Sequence, residues 1–461
     1  MKKFPLNLLF PGFLIGAVSA FSPGFIFVFF LVLLTSFLFF RLSTIHERRF
    51  VCALFLTGFL ARTILSLGLD LGSWIVEGKG PMKRGAVQEW NLGIVDRTRE
   101  YVKMGDSDYY SQRGYAIAQY ARGVREPVVL FRIQQYGGHG YAYVIGAFYY
   151  LFGFSPVSVK ILNCFIGALL GPFLFLLLKE CFNPSVAKWA SVGTTFFPSL
   201  ILWSAGNLKE PSLFLLTVLA LLLFVKGQRA RSVISLAGYG VMFVCAVVLH
   251  MSLRSTYFSL SLAGCLLFSQ AVLLLKKKKA LLFLFLGLLL AFCCLHVRQL
   301  RSGLEFGFYR HIGYAGDPGV SYRYLPNEFY LPGYTESWMS SGKLGASLLL
   351  NSMVRSTFHF LMEPVPVRID NLFILLVYPQ MVVWYFLLPF AVLGMGWSLR
   401  WNRDRTLFLT LTLVSWTLMG ALTSGNVGTV FRIRDMVTPF FLAFACAGFW
   451  GLVRGPGETL A

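Results

Sequence analysis

YFSLSLAGCLLFSQAVLLLKKKK, residues 257–279, sets the class of the whole chain. Its apolar part has the length that crosses a bilayer core as helix, about 17 to 25 residues. The lysines that close it, Lys276, Lys277, Lys278 and Lys279, are the strongest cytoplasmic marker in the sequence, because basic residues flanking a span stay inside. Apolar blocks of this kind recur from end to end. Of 461 residues, 56% are hydrophobic and only 13% charged, and the mean hydropathy is +0.67. A soluble domain needs a more highly charged exterior than that. The expected fold class is therefore an all-α polytopic membrane protein. Lys and Arg outnumber Asp and Glu by 41 to 20. Most of that excess sits at the ends of apolar segments, where it reads as an orientation signal and not as a nucleic-acid surface.

Outward from the lysine run, residues 233–250, 211–225, 186–202 and 156–178 read as spans in one direction, and 280–297, 372–397, 407–422 and 436–453 in the other. Earlier still, residues 5–21 and 25–40 form a hairpin around Ser22, Pro23 and Gly24, followed by the span 50–69. A cleaved signal peptide is not expected, since the second arm is long enough to remain as a span. Leaving out the short first segment, 5–21, the count is roughly eleven spans, with both long polar segments, 70–155 and 298–371, on the non-cytoplasmic side. Within them, residues 137–152 and 344–362 are apolar but short or charged, and are expected to lie at the interface. The domain reading is a hairpin at 1–49, a transmembrane core at 50–453 and a cytoplasmic tail at 454–461. No repeat of transporter type occurs.

The first polar segment holds KMGDSDYYSQRGYAIAQYARG, residues 103–123, with Asp106 and Asp108 at the head of an aromatic helix. A carboxylate at the membrane surface can act as general base, taking the proton of an incoming hydroxyl. Ser107 or Asp108 can equally cap the helix that follows, and the two roles are compatible. Arg432 and Arg434 are placed in the last external loop and Arg254 in a short external turn, against the orientation rule. A lipid phosphate would explain them, as would snorkelling to a headgroup. Arg62 lies well inside a span, where it must face protein, an acid or an anionic ligand. Lys209 and Glu210 precede Pro211, a combination that suits a helix start. The histidines stand singly, and the eight cysteines have neither zinc spacing nor a disulfide-permissive placement, so no metal or other cofactor is expected. Gly137, Gly138 and Gly140 follow no strand and make no nucleotide loop. Any activated sugar would have to arrive on a lipid.

In this arrangement the chain resembles the GT-C superfamily of integral membrane glycosyltransferases, in particular bacterial relatives of the protein O-mannosyltransferases and of the lipid A aminoarabinose transferase. Arg62, Asp106, Tyr110 and the small-residue helix through Ala116 are similar to that group's first span, acid, tyrosine and helix. HGYAYVIGAFYYLFGFSPVSVKILN (139–163) and SAGNLKEPSLFLL (204–216) look like its next two signatures, with His139 and Ala142 where proline is usual and Lys209 where threonine is commoner. FLMEPVPVRIDNLF (360–373), WYFLLP (384–389) and GNVGTVFRIRD (425–435) look like members found in surface polysaccharide assembly. The resemblance implies a polyprenyl-phosphate sugar donor, a glycan, lipid or protein acceptor, inverting transfer outside the cytoplasm, and a loop Asp as base. It implies Asp106 or Asp108 as catalytic acid–base groups, Arg432, Arg434, Arg254 and Arg62 for the donor phosphate, and Tyr110, His139, Tyr141, Lys209 and Glu210 for substrate. No nucleic acid partner is expected, and the membrane would be a bacterial inner membrane. Two rival readings are an O-antigen polymerase or ligase, which would rely on Arg310, His311 or His359, and a lipid or polysaccharide transporter.

Overall fold

The computed structural model describes residues 23–42, 45–77, 87–88, 95–96, 107–124, 140–253, 256–275, 354, 356–363, 372–424 and 427–455. It is a multi-pass membrane protein whose described residues are helical in their regular structure apart from one two-residue antiparallel ladder, β1 (Val87–Gln88) with β2 (Val95–Asp96). Among the described residues seven helices are long and apolar enough to cross a membrane. The chain divides into two compact units, Met1–Leu177 with Ser191–Ser255, and Leu178–Ala190 with Thr256–Ala461.

In the first unit, α1 (Pro23–Leu42) and α2 (Ile45–Glu77) pack as an antiparallel pair, with α2 extending past the expected span end; the first arm of the expected hairpin, 5–21, lies outside the described residues. Asp70, expected to open the polar segment, is still helical and pairs at 2.6 Å with Lys160 of α5 (Pro156–Leu178). Helices α3 (Ser107–Ala121) and α4 (Gly140–Phe152) pack against each other. A Cβ at Gly114 would collide with Ile145, and one at Gly146 with Ile117, so small residues bring the two backbones together. The α4 helix is the short interfacial candidate of the sequence, 13 residues long.

One expected span is corrected. Residues 186–202 are not a single helix but two, α6 (Pro184–Thr195) and α7 (Pro198–Ser204). Pro198 has no N–H to continue the ladder and disfavours helical backbone before it, and Phe197 is accordingly extended at φ −67°, ψ 122°. After α7 the chain crosses a short buried connection to α8 (Glu210–Gln228) and returns through α9 (Val233–Leu253).

The second unit contains α10 (Thr256–Leu275), a helical stretch at 356–362, α11 (Leu372–Trp401), α12 (Arg403–Thr423) and α13 (Val427–Arg454). A second correction falls here. Arg432 and Arg434 are not in a loop but within the early turns of α13, where Val430, Phe431, Ile433 and Val437 are buried beside them. The α11 and α13 helices cross at backbone contact: a Cβ on Gly394 would meet the Phe444 carbonyl, and one on Gly448 the Phe390 carbonyl. Neither neighbour is the end of a flexible side chain, so neither can yield. Gly394→Val is expected to lower stability by about 3 kcal/mol or more. An unchanged melting temperature of the purified variant in detergent would contradict this crossing.

Candidate functional site

The first unit is built around the non-helical segment 205–209, between α7 and α8. Ala205, Gly206, Asn207 and Leu208 are buried, so its peptide groups cannot rely on solvent. Side chains from three helices serve them. From α2, Ser66 donates to the Ala205 carbonyl at 3.0 Å. From α5, the Asn163 amide nitrogen donates to the carbonyls of Gly206 at 2.7 Å and Leu208 at 2.9 Å. From α3, Ser107 Oγ accepts the Asn207 N–H at 3.0 Å. The Asn207 amide nitrogen in turn donates to Ser111 Oγ at 2.6 Å, one turn along α3.

Arg62 anchors the near end of this segment. It is fully buried, with Nε donating to Ser204 Oγ at 3.3 Å and Nη1 to the Gly58 carbonyl at 3.0 Å. Gly167 makes room for it, since a Cβ there would meet both Ser204 Oγ and Arg62 Nε. Of the partners expected for Arg62, protein, an acid or an anionic ligand, the hydrogen bonds seen are to protein, Ser204 of α7 and Gly58 of its own helix.

At the far end four of the predicted substrate residues, Tyr110, Tyr141, Lys209 and Glu210, converge. The rings of Tyr110 and Tyr141 meet edge to face with centroids 5.2 Å apart. The Lys209 Nζ lies 5.6 Å from the Tyr110 centroid, which is cation–π range. Glu210, the first residue of α8, is buried; a carboxylate there suits the helix dipole, as its sequence position implied. Burial pushes the Tyr141 phenol well above its ordinary pKa; the Asn163 hydrogen bond opposes the rise, and Tyr149, Glu210 and Tyr110 add to it. Tyr141 is therefore a neutral hydroxyl at physiological pH.

Asp106, His139 and Arg254 lie outside the described residues. Asp108 is the second residue of α3, with its side chain likewise outside them. Asp106 and Asp108 flank Ser107, and Ser107 is bonded to the buried segment that leads into Lys209 and Glu210.

Arg432 is half-buried and Arg434 fully buried in the second unit. Arg434 Nη1 donates to the carbonyls of Phe360 at 3.3 Å and Glu363 at 2.7 Å, while Nη2 approaches Met381 Sδ at 3.0 Å. Trp384 Nε1 and the Tyr385 hydroxyl donate to the carbonyls of Leu361 and Met362 at 3.0 and 2.5 Å. Together they satisfy the end of the helical stretch 356–362, where four carbonyls lack helical partners. The guanidinium also stacks on Phe431 and Trp384, 4.3 and 5.0 Å from their centroids.

In the same stretch His359 Nδ1 contacts Glu363 Oε1 at 3.3 Å, both buried. Burial lowers the His359 pKa, against the opposing pull of Glu363. The unfolded chain then binds the proton more readily than the folded one. Stability is full above the ordinary histidine value and falls as pH drops through it. His359→Gln is expected to flatten that acid limb of the melting-temperature profile; a limb unchanged by the substitution would assign it to another group.

Asn163, Asn207 and Ser111 were not singled out by the sequence, and Ser107 was read only as a helix cap. The usable signal was an amide, Asn163, in the largely apolar α5, since buried polar groups in a span must be bonded to protein. Among the described residues no group of three metal-ligating side chains occurs.

Comparison with known proteins adds one family. Residues 138–296 match the model of a family described as dolichyl-phosphate-mannose-protein mannosyltransferase. The matched stretch contains Tyr141, Asn163, Asn207, Lys209 and Glu210. No curated protein matches the chain.

Proposed function

We propose that this chain, a membrane glycosyltransferase of the GT-C type, transfers a sugar from a polyprenyl-phosphate donor to a hydroxyl acceptor on the non-cytoplasmic face. The acceptor is a glycan, lipid or protein. Its hydroxyl oxygen attacks the anomeric carbon, the bond from that carbon to the phosphate oxygen breaks, and polyprenyl phosphate departs with the electron pair. A single displacement of this kind inverts the anomeric centre. Asp106 or Asp108 accepts the hydroxyl proton as the new bond forms.

The observation that carries this reading is the Ser107–Asn207 hydrogen bond. It ties the acid-bearing start of α3 to the buried segment leading into Lys209 and Glu210, inside the stretch that the family match covers. A neutral tyrosine hydroxyl, a half-buried ammonium and an acid next to Ser107 form a set suited to an anionic leaving group and an attacking hydroxyl. The phosphate role expected of Arg432 is a separate claim about the second unit, and a rise in donor KM for Arg432→Ala tests it.

Incubating the purified protein with a panel of polyprenyl-phosphate sugars, and in parallel with nucleotide sugars, tests the donor class. Acceptor-dependent release of polyprenyl phosphate is expected from at least one lipid-linked sugar. Transfer from a nucleotide sugar alone would contradict the proposal.

A further inference from the structure

We propose that Asn163 fixes the Tyr141 hydroxyl as an obligatory hydrogen-bond donor to a substrate oxygen, either a phosphoryl oxygen or a sugar hydroxyl. This rests on the glycosyltransferase reading above and adds a positioning residue and a substrate contact to it.

The inference begins with the identity of one atom. An asparagine amide can in principle be turned so that oxygen replaces nitrogen. Here that is ruled out, because the same Asn163 atom lies 2.7 Å from the Gly206 carbonyl and 2.9 Å from the Leu208 carbonyl. Two carbonyl oxygens can gather only around a donor, so the atom is the NH2 nitrogen. It also lies 2.6 Å from the Tyr141 hydroxyl. An amide nitrogen accepts no hydrogen bond, so its two N–H hydrogens are shared among the phenol oxygen and the two carbonyls, and the phenol hydrogen points away from it.

That hydrogen has no acceptor among the described residues, although Tyr141 is only 2% exposed. A buried hydroxyl hydrogen left unpaired costs on the order of 1–3 kcal/mol, which a substrate oxygen placed there would recover. The packing lets the ring stay where it is, since Tyr110 meets it edge to face and Asn163 holds the oxygen. The phenol also keeps its proton at neutral pH, as its surroundings raise its pKa. Tyr141 thus presents a fixed, neutral donor of the type that stabilises charge developing on a departing oxygen.

The full-length protein carries the test, as Tyr141→Phe, Asn163→Asp and the double variant, assayed with polyprenyl-phosphate sugars. Tyr141→Phe keeps the ring and removes only the hydroxyl. It is expected to lower kcat/KM by about 10- to 100-fold, as for loss of one hydrogen bond to a charged group, with an unchanged melting temperature. Asn163→Asp reverses the polarity of the contact and draws the phenol hydrogen toward the new carboxylate. It is expected to lose a similar factor, and adding Tyr141→Phe to it should lose little more.

Donors lacking single sugar hydroxyls separate the two oxygen sources. If the Tyr141→Phe effect vanishes with one of them, the partner is that hydroxyl. If it persists with all and falls on kcat and not on donor KM, the partner is the phosphate. Should Asn163→Asp fail to fold for want of its loop bonds, Tyr141→Phe still decides. Wild-type kcat/KM in Tyr141→Phe with every donor would overturn this inference while leaving the glycosyltransferase reading intact. Absence of transfer by the unsubstituted protein would overturn both.

Discussion

Transfer is expected to fall by about 10²- to 10⁴-fold when the carboxylate proposed as the base, Asp106 or Asp108, is replaced by its amide, the range of a lost general base. Asp106→Asn and Asp108→Asn are isosteric, so each removes the charge and spares the shape. One of the two should carry nearly the whole loss, and the other should act as helix cap or local electrostatic support. The double variant should be no worse than the more damaging single one. Folding should be little affected, because the anchor of this helix start is Ser107 on Asn207, with Asn207 on Ser111 one turn further. The checks are initial rates with a lipid-linked donor together with melting temperature. Full activity in both single variants and in the double would remove the base from this mechanism.

The second large effect is structural. Arg434→Ala is expected to destabilise the second unit by about 3–5 kcal/mol, the sum expected for two hydrogen bonds from a charged donor and a buried cation–π contact. The carbonyls of Phe360 and Glu363 would lose the Nη1 that now reaches both, and the residue sits beneath Phe431 and Trp384. Arg434→Lys should recover only part of the loss, since an ammonium cannot reproduce the guanidinium fork. Thermal unfolding in detergent measures this. An Arg434→Ala protein that melts like the wild type but needs more donor would instead assign Arg434 to the lipid phosphate.

These two predictions show unequal legibility in the sequence. Helix α5 emerges with the expected ends, Pro156 and Leu178, because a proline starts it and a mostly apolar run carries it. The break between α6 and α7 escapes a hydropathy reading, since Phe196, Phe197 and Pro198 are as apolar as their neighbours and only proline geometry interrupts the helix. The start of α13 is hidden for the opposite reason. Arg432, Arg434 and Asp435 look like loop charges, yet Arg434 and Asp435 are buried on a helix whose neighbouring positions are apolar. The burial of Arg434 is satisfied by carbonyls more than 70 positions away in the chain, and no local pattern could announce that.

The site divides in the same way. Tyr110, Tyr141, Lys209 and Glu210 were reachable through their likeness to family signatures, and the fold does gather them. The asparagines that hold the 205–209 segment were not, because one buried amide in a span looks like noise until its acceptors are known. Family signatures therefore pointed to the side chains proposed to face substrate, while the side chains that hold them are recognised only through their hydrogen-bond partners.

The most direct measurement is a doubly labelled turnover in proteoliposomes, with one label on the sugar and another on the polyprenyl phosphate. The account predicts that the sugar label becomes covalently attached to a hydroxyl acceptor with inverted anomeric configuration, while the lipid label is recovered as polyprenyl phosphate in equal amount. Both labels moving across the bilayer still joined, with no new glycosidic bond, would contradict it.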